Sequence, residues 1–135
     1  MFNAKARYAL RAMILLARRH GDGVLSTKDV ANDEKIPARF LENIFILLRA
    51  AGLLRAQRGK LGGYELARPA DQITMGEIMR ASGAGLDVNK CVAGELCQGC
   101  PSETECTLAP FVKRANAALM EVVDRTYLSE FVDKP

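Results

Sequence analysis

No stretch of the 135 residues approaches the roughly 20 consecutive apolar residues that cross a bilayer, so a membrane-spanning helix is not expected. The opening Met1-Phe2-Asn3-Ala4-Lys5-Ala6-Arg7-Tyr8 lacks the apolar core and small-residue cleavage site of a signal peptide, which places the expected site of action in the cytoplasm. There is no internal repeat and no low-complexity tract. Histidine is nearly absent. The single His20 sits at a predicted helix end, where it suits the C-terminal dipole better than a metal. No His/Asp/Ser constellation is present, so an enzyme is not expected. A phosphate loop is excluded around Gly59-Lys60, because Leu61 replaces the required Ser/Thr and Leu54 stands where the upstream Gly belongs.

What is present is an ordinary globular composition, 49% hydrophobic and 26% charged, with a lopsided charge. Residues 1–68 carry a net +7 and residues 69–135 a net −4. A basic first half suits a polyanionic partner, although a solvated basic surface has the same composition. Four cysteines are also present. Disulfides are uncommon in the cytoplasm, so these thiols point first to metal or redox chemistry.

Helical periodicity begins at Ala4 and continues to His20, with Ala9, Met13 and Leu16 on one face and Gly21 and Gly23 beyond the end. Ser26-Thr27-Lys28-Asp29 reads as a capping box flanked by Leu25 and Val30 as a hydrophobic staple. A short second helix therefore starts at Thr27 and ends near Glu34, with Lys35-Ile36 as the turn. Pro37 suits the first position of a third helix, whose apolar positions are Phe40, Leu41, Ile44, Phe45, Leu47 and Leu48, and Gly52 suits its left-handed cap. Two helices joined by a tight turn form a helix-turn-helix pattern. Residues 53–57 and 64–68 read as paired strands around a loop rich in Gly and basic residues, which completes a winged helix. Thr74 and Glu77 form a second capping box for a helix ending near Ala81. A last long helix spans about 108–125, with Leu108, Phe111, Val112, Ala115, Ala118, Leu119, Val122 and Val123 as its apolar positions. Thr126 can cap a short final helix carrying Leu128 and Phe131. The expected fold is mainly α with a small β-hairpin wing. It comprises a winged helix-turn-helix over residues 1–82, a cysteine-rich loop over 83–107, and a dimerisation helix with its tail over 108–135.

The second helix of a helix-turn-helix enters the major groove with its N-terminal residues against the bases. The positions predicted to face DNA there are Arg39, Glu42 and Asn43. Arg39 can pair with a guanine edge or a phosphate, Asn43 with adenine, and Glu42 only with cytosine. Ser26, Thr27 and Lys28 open the preceding helix, where amides and the dipole favour a phosphate. In the wing, Arg58 and Lys60 can enter the minor groove or clamp the backbone, and Gly59, Gly62 and Gly63 let the loop approach a surface closely.

The cysteines are spaced Cys91-x5-Cys97-x2-Cys100-x5-Cys106. Four thiols within sixteen residues can converge on one inorganic centre. Zinc sites usually show two short knuckles and only Cys97 with Cys100 forms one, so the spacing favours an iron–sulfur cluster over zinc. A metal-free thiol switch stays open.

On these residues the chain resembles the IscR/NsrR/RirA group of winged-helix regulators, the Rrf family. The carriers are Lys5-Ala6-Arg7-Tyr8-Ala9-Leu10-Arg11-Ala12-Met13, Ile36-Pro37-Ala38-Arg39-Phe40-Leu41-Glu42, the wing Arg58-Gly59-Lys60-Leu61-Gly62-Gly63-Tyr64, the run Ile73–Ile78, and the cysteine loop. The resemblance implies homodimers that cross their long C-terminal helices, bind palindromic operators on double-stranded DNA, and sense iron, redox state or nitric oxide through an iron–sulfur cluster. It adds Tyr64 to the DNA-binding wing. It places the three family cysteines on Cys91, Cys100 and Cys106, with Cys97 extra and exchangeable with Cys100. Two departures stand out. The position of the histidine ligand of IscR-type members is Ala109, and the acidic first-helix residue of some nitric-oxide sensors is Tyr8. Cys97 is thereby the candidate fourth ligand.

Overall fold

In the computed structural model, residues 2–84 and 106–133 are described. Five α-helices and one hairpin follow in the order α1 (Ala4–Arg18), α2 (Thr27–Glu34), α3 (Ala38–Ala50), β1 (Leu54–Gln57), β2 (Gly63–Leu66), α4 (Met75–Ala81) and α5 (Ala109–Arg125). Short 3-10 turns cover Ala70–Gln72 and Leu128–Phe131. The fold is thus the mainly α arrangement with a two-stranded wing that the sequence predicts.

Three of these helices, α1, α2 and α4, begin where a side chain satisfies a free amide. Asn3 accepts from the Ala6 amide at the start of α1, Ser26 from Asp29 at the start of α2, and Thr74 from Glu77 at the start of α4. In α4 the box is reciprocal, because the Glu77 carboxylate accepts from the Thr74 amide at 2.9 Å. The helix α1 ends two residues before the predicted His20. Pro37 takes the capping position of α3 and the helix starts at Ala38, so the proline ring fixes the entry without joining the helix. The α2–α3 turn is made by Lys35, which adopts φ 55° as the C-cap of α2 and returns its amide to Ala31. A left-handed lysine costs energy that glycine would avoid.

The core forms where α1, α2 and α3 meet the hairpin. Met13, Val30, Leu41, Ile44, Phe45 and Leu48 are fully buried there. The hairpin pairs Leu54 with Leu66 and Gln57 with Gly63. A third chain segment joins it, since Leu25 forms an antiparallel bridge with Tyr64. Gly63 permits this contact: a Cβ there would stand 2.3 Å from the Leu25 carbonyl oxygen.

The long helix α5 is fastened to the winged head near its C-terminal end. Val123 is buried with Ala6 and Met79. Asp124 accepts two hydrogen bonds from the Arg80 guanidinium, at 2.6 and 2.9 Å. Gly76 lets α4 approach so closely, because a Cβ at that position would lie 2.2 Å from Asp124 Oδ1. The Met75 amide donates to the Thr126 carbonyl and the Leu128 amide to the Ile73 carbonyl, each at 2.8 Å. Thr126 itself ends α5, with its hydroxyl donating to Val122, rather than opening the last turn.

The single apolar pattern of α5 divides into two faces. Ala109, Asn116 and Val123 are buried, whereas Leu108, Phe111 and Val122 are 58%, 67% and 61% exposed. At 3.6 residues per turn the two sets are centred about 120° apart. The exposed set is therefore not part of the head's core.

Candidate nucleic-acid interface and cysteine segment

Three elements supply the predicted DNA-facing residues, and Tyr64 ties them together. Its backbone bridges to Leu25, directly before the Ser26 cap of α2. Its ring packs on Phe45 of α3, with centroids 4.7 Å apart. The root of the wing, the start of α2 and the body of α3 are thus one rigid junction. Tyr64 is half-buried in that junction, so its ring serves packing. The glycines divide similarly. Gly62 and Gly63 are required by backbone approach, since a Cβ on Gly62 would lie 2.3 Å from the Gln57 carbonyl oxygen. Gly59 takes φ 109° and turns the tip.

On the outward side, Lys28, Arg39, Glu42, Asn43, Arg58, Gly59 and Lys60 are all exposed. Ser26 and Thr27 are half-buried at the start of α2. Arg39, Glu42 and Asn43 share one face of α3 with Ile46, which is 59% exposed. Reading the helix for polar base-contacting groups passes over Ile46, although its i+7 spacing from Arg39 marks the same face. Phe40 and Leu47, predicted to face inward, are instead 51% and 37% exposed. Phe40 meets the Tyr8 ring edge-on at 6.2 Å.

Ion pairs within the head take up some of its arginines and leave other cations without an acidic partner. Arg11, Arg19, Arg55 and Arg68 pair with Glu34, Asp33, Glu65 and Glu77. Among the described residues, Lys28, Arg39, Arg58 and Lys60 have no acidic partner.

Away from this side, Arg68, Glu77, Arg80 and Asp124 form two ion pairs where α4 meets its neighbours. Burial raises the Glu77 pKa, but the Thr74 amide and the Arg68 guanidinium outweigh it and hold the carboxyl below its ordinary 4.5. The hydrogen bonds from Arg80 hold Asp124 below its ordinary 3.8 against a smaller desolvation effect. Ala51, Leu53, Arg68, Glu77, Arg80 and Ala81 line an open cleft of about 350 Å³ between these pairs.

Of the four candidate metal ligands, Cys91, Cys97 and Cys100 lie outside the described residues. Cys106 is half-buried three residues before the start of α5, and its carbonyl accepts from the Ala109 amide at 3.3 Å. Ala109 is 8% exposed and presents only a methyl group where a histidine ligand would stand. Tyr8, engaged with Phe40, presents no carboxylate from α1. Among the described residues no group of three or more His, Cys, Asp or Glu side chains gathers around a common point. Among the described residues Cys106 supplies the candidate thiol, a donor type that suits a thiophilic centre. Among the described residues no helix is long and apolar enough to cross a membrane.

Comparison with known proteins gives concordant matches. The profile of the family described as Rrf2, iron-dependent transcriptional regulator, matches residues 2–134. A protein of Haemophilus influenzae named as an HTH-type transcriptional regulator is 30% identical over 131 residues, covering 97% of this chain and 85% of its own. The HTH-type transcriptional regulator IscR of Cereibacter sphaeroides is 43% identical over 81 residues, covering 58% of this chain and 52% of its own. Among solved structures, CymR, the global cysteine regulator of Bacillus subtilis, superposes with a TM-score of 0.78 at 30% identity. That match covers 100% of this chain and 98% of the other.

Proposed function

The chain belongs to the Rrf2 family of DNA-binding transcriptional regulators, which are not enzymes, and from that footing we propose that it is a cytoplasmic homodimeric repressor whose hold on a palindromic operator is set by an iron–sulfur cluster. The observation that carries the DNA part of this reading is the Tyr64 junction. It holds the α2 start, the outer face of α3 and the wing in one body, with their cations unpaired. In this reading Arg39, Glu42 and Asn43 meet base edges, with Glu42 accepting from cytosine. Ser26, Thr27 and Lys28 hold a phosphate. Arg58 and Lys60 grip from the wing, while Gly59, Gly62, Gly63 and Tyr64 shape it.

The exposed Leu108, Phe111 and Val122 face of α5 is the proposed dimer seam. Two copies joined there must set their α3 helices about 34 Å apart to enter successive major grooves. Cys91, Cys97, Cys100 and Cys106 are the proposed ligands, with Cys97 in the fourth place because Ala109 and Tyr8 offer no donor. The cluster, when bound, supplies a centre responsive to iron, oxidants or nitric oxide. The chain's own contribution is position. Cys106 stands three residues before α5 and its carbonyl accepts from the helix's first amide, so tethering residues 91–106 to it constrains the first turn of the seam helix and shifts the population of DNA-competent dimers.

A second reading is favoured by the likeness to CymR and by the missing histidine at 109: a cluster-free regulator acting through its thiols, or through zinc. Anaerobic purification separates the two, since visible absorption with matching iron and sulfide belongs only to the cluster. Holo and apo protein are then titrated at fixed salt against duplexes recovered from a random pool. Different affinities are expected. Equal affinities refute cluster control, and no binding by either form refutes the DNA reading. An unchanged visible spectrum and cluster lifetime in Cys97→Ala refutes the fourth ligand.

A further inference from the structure

At the tip of the wing stands Leu61, 86% exposed, which the basic reading of the loop passes over. Single exposed apolar residues are ordinary on protein surfaces. Leu61 differs in its placement. The Gly62 amide donates to the Gly59 carbonyl at 3.0 Å, so Lys60 and Leu61 are the two central residues of a β-turn. That turn is held firmly. Gly62 sits against the Gln57 and Gly59 carbonyls with no room for a Cβ, and the next pair, Gln57 with Gly63, is in the ladder. The hairpin base is anchored by Leu54 and Leu66, both buried. The fold therefore presents one branched aliphatic side chain on a stiff tip, next to Lys60 and three residues after Arg58, with nothing of its own core for that side chain to cover.

Resting on the DNA reading above, we infer that Leu61 is an apolar wedge that enters the minor groove at the wing contact and opens a flexible base step. The minor groove is about 6 Å wide, which excludes a helix but admits the tip of a β-turn. The negative potential of a narrow minor groove draws in Arg58 and Lys60 of the same loop and so aims the tip. Apolar side chains inserted there unstack a step and bend the duplex, most readily at TA or CA/TG steps. Leu61 thereby reads deformability, a selectivity that Arg39 and Asn43 cannot supply from the major groove.

The test compares full-length wild type, Leu61→Ala and Lys60→Ala on duplexes recovered by wild-type selection from a random pool, with 2-aminopurine placed along the wing-contacted step. Leu61→Ala should weaken binding about tenfold at every salt concentration, on the scale of partly exposing a leucine. Its log–log salt slope should equal that of wild type, because no counterion is displaced by a leucine. The 2-aminopurine fluorescence gained on wild-type binding should be lost. Lys60→Ala should instead reduce the slope by about 1 and keep the fluorescence gain. Wild-type affinity and fluorescence in Leu61→Ala overturn the wedge, as does a loss accompanied by a changed slope, which would mean that Leu61 only positions Lys60. If wild type itself selects no duplex, the DNA reading falls and the wedge with it. Far-UV circular dichroism confirms that the variants fold.

Discussion

Adding one methyl group at Gly76 tests how α5 is joined to the head. The new Cβ would stand 2.2 Å from Asp124 Oδ1 and 3.0 Å from an Arg80 guanidinium nitrogen. Both neighbours are side-chain ends, so the substitution forces the fork apart before it separates the helices. Three effects compete. Alanine favours the helix over glycine by about 0.5–1 kcal/mol. The Arg80–Asp124 pair is nearly half exposed, at 48% and 42%, so losing it costs only about 0.2–1 kcal/mol. Overpacking a closed contact adds about 1–3 kcal/mol. Gly76→Ala should therefore destabilise the protein by about 1–2 kcal/mol. In an Asp124→Ala background the obstruction is gone, and the same substitution should stabilise by about 0.5 kcal/mol, the helix preference alone. Urea denaturation followed by circular dichroism, at one protein concentration because the stability of the proposed dimer would depend on it, gives all four corners of the cycle. The reversal of sign is the decisive result. Equal effects of Gly76→Ala in both backgrounds would show that the fork does not hold α4 against α5, and the reasoning fails.

The remaining predictions concern charge, backbone and assembly. The Glu77 pKa is lowered on folding, so its stabilising contribution is complete above about pH 4.5 and is lost as pH falls through the depressed folded value; Glu77→Gln should flatten the stability-against-pH curve in the acid range, read by urea titration at several pH values. Lys35→Gly should raise the melting temperature by a few degrees, because relief of the left-handed strain, about 1–2 kcal/mol, exceeds the entropy that glycine adds to the unfolded chain. Phe111→Asp should yield folded monomers in sedimentation equilibrium; a dimer of unchanged affinity would exclude the Leu108–Val122 face as the seam.

Local chemistry carries far in this sequence. The capping residues Ser26 and Thr74 start helices where a side chain three positions from its partner amide can dictate it, and Gly52 ends α3 at φ 80°. Asn3 caps α1 by an equally local bond, which the periodicity reading of that helix passes over. What a sequence hides is the identity of the surface opposite each apolar residue. Val123 and Val122 are adjacent and alike, yet one is buried on Met79 and the other faces out. Tyr64 sits in a glycine-rich basic wing and reads as part of its surface, but a bridge to Leu25, 39 positions earlier, turns its ring onto Phe45. Gly63 likewise looks like a loop glycine, and its requirement comes from that distant carbonyl. Periodicity states which residues are apolar on one side of a helix; it does not state that α5 has two such sides.

The fastening of α5 has a mechanical consequence. The Arg80–Asp124 fork, the buried Val123 and the Thr126 carbonyl all grip the helix in its last two turns, while Cys106 adjoins its opposite end. Seventeen residues at 1.5 Å each make a rod about 25 Å long. Over that length angle converts into distance: a turn of about 5° at this grip corresponds to about 2 Å at the other end. The gearing runs both ways. A displacement of a couple of ångströms beside Cys106 corresponds at α4 and the winged head to a tilt of only a few degrees, so it is at the proposed seam between copies that small local rearrangements would become differences in spacing.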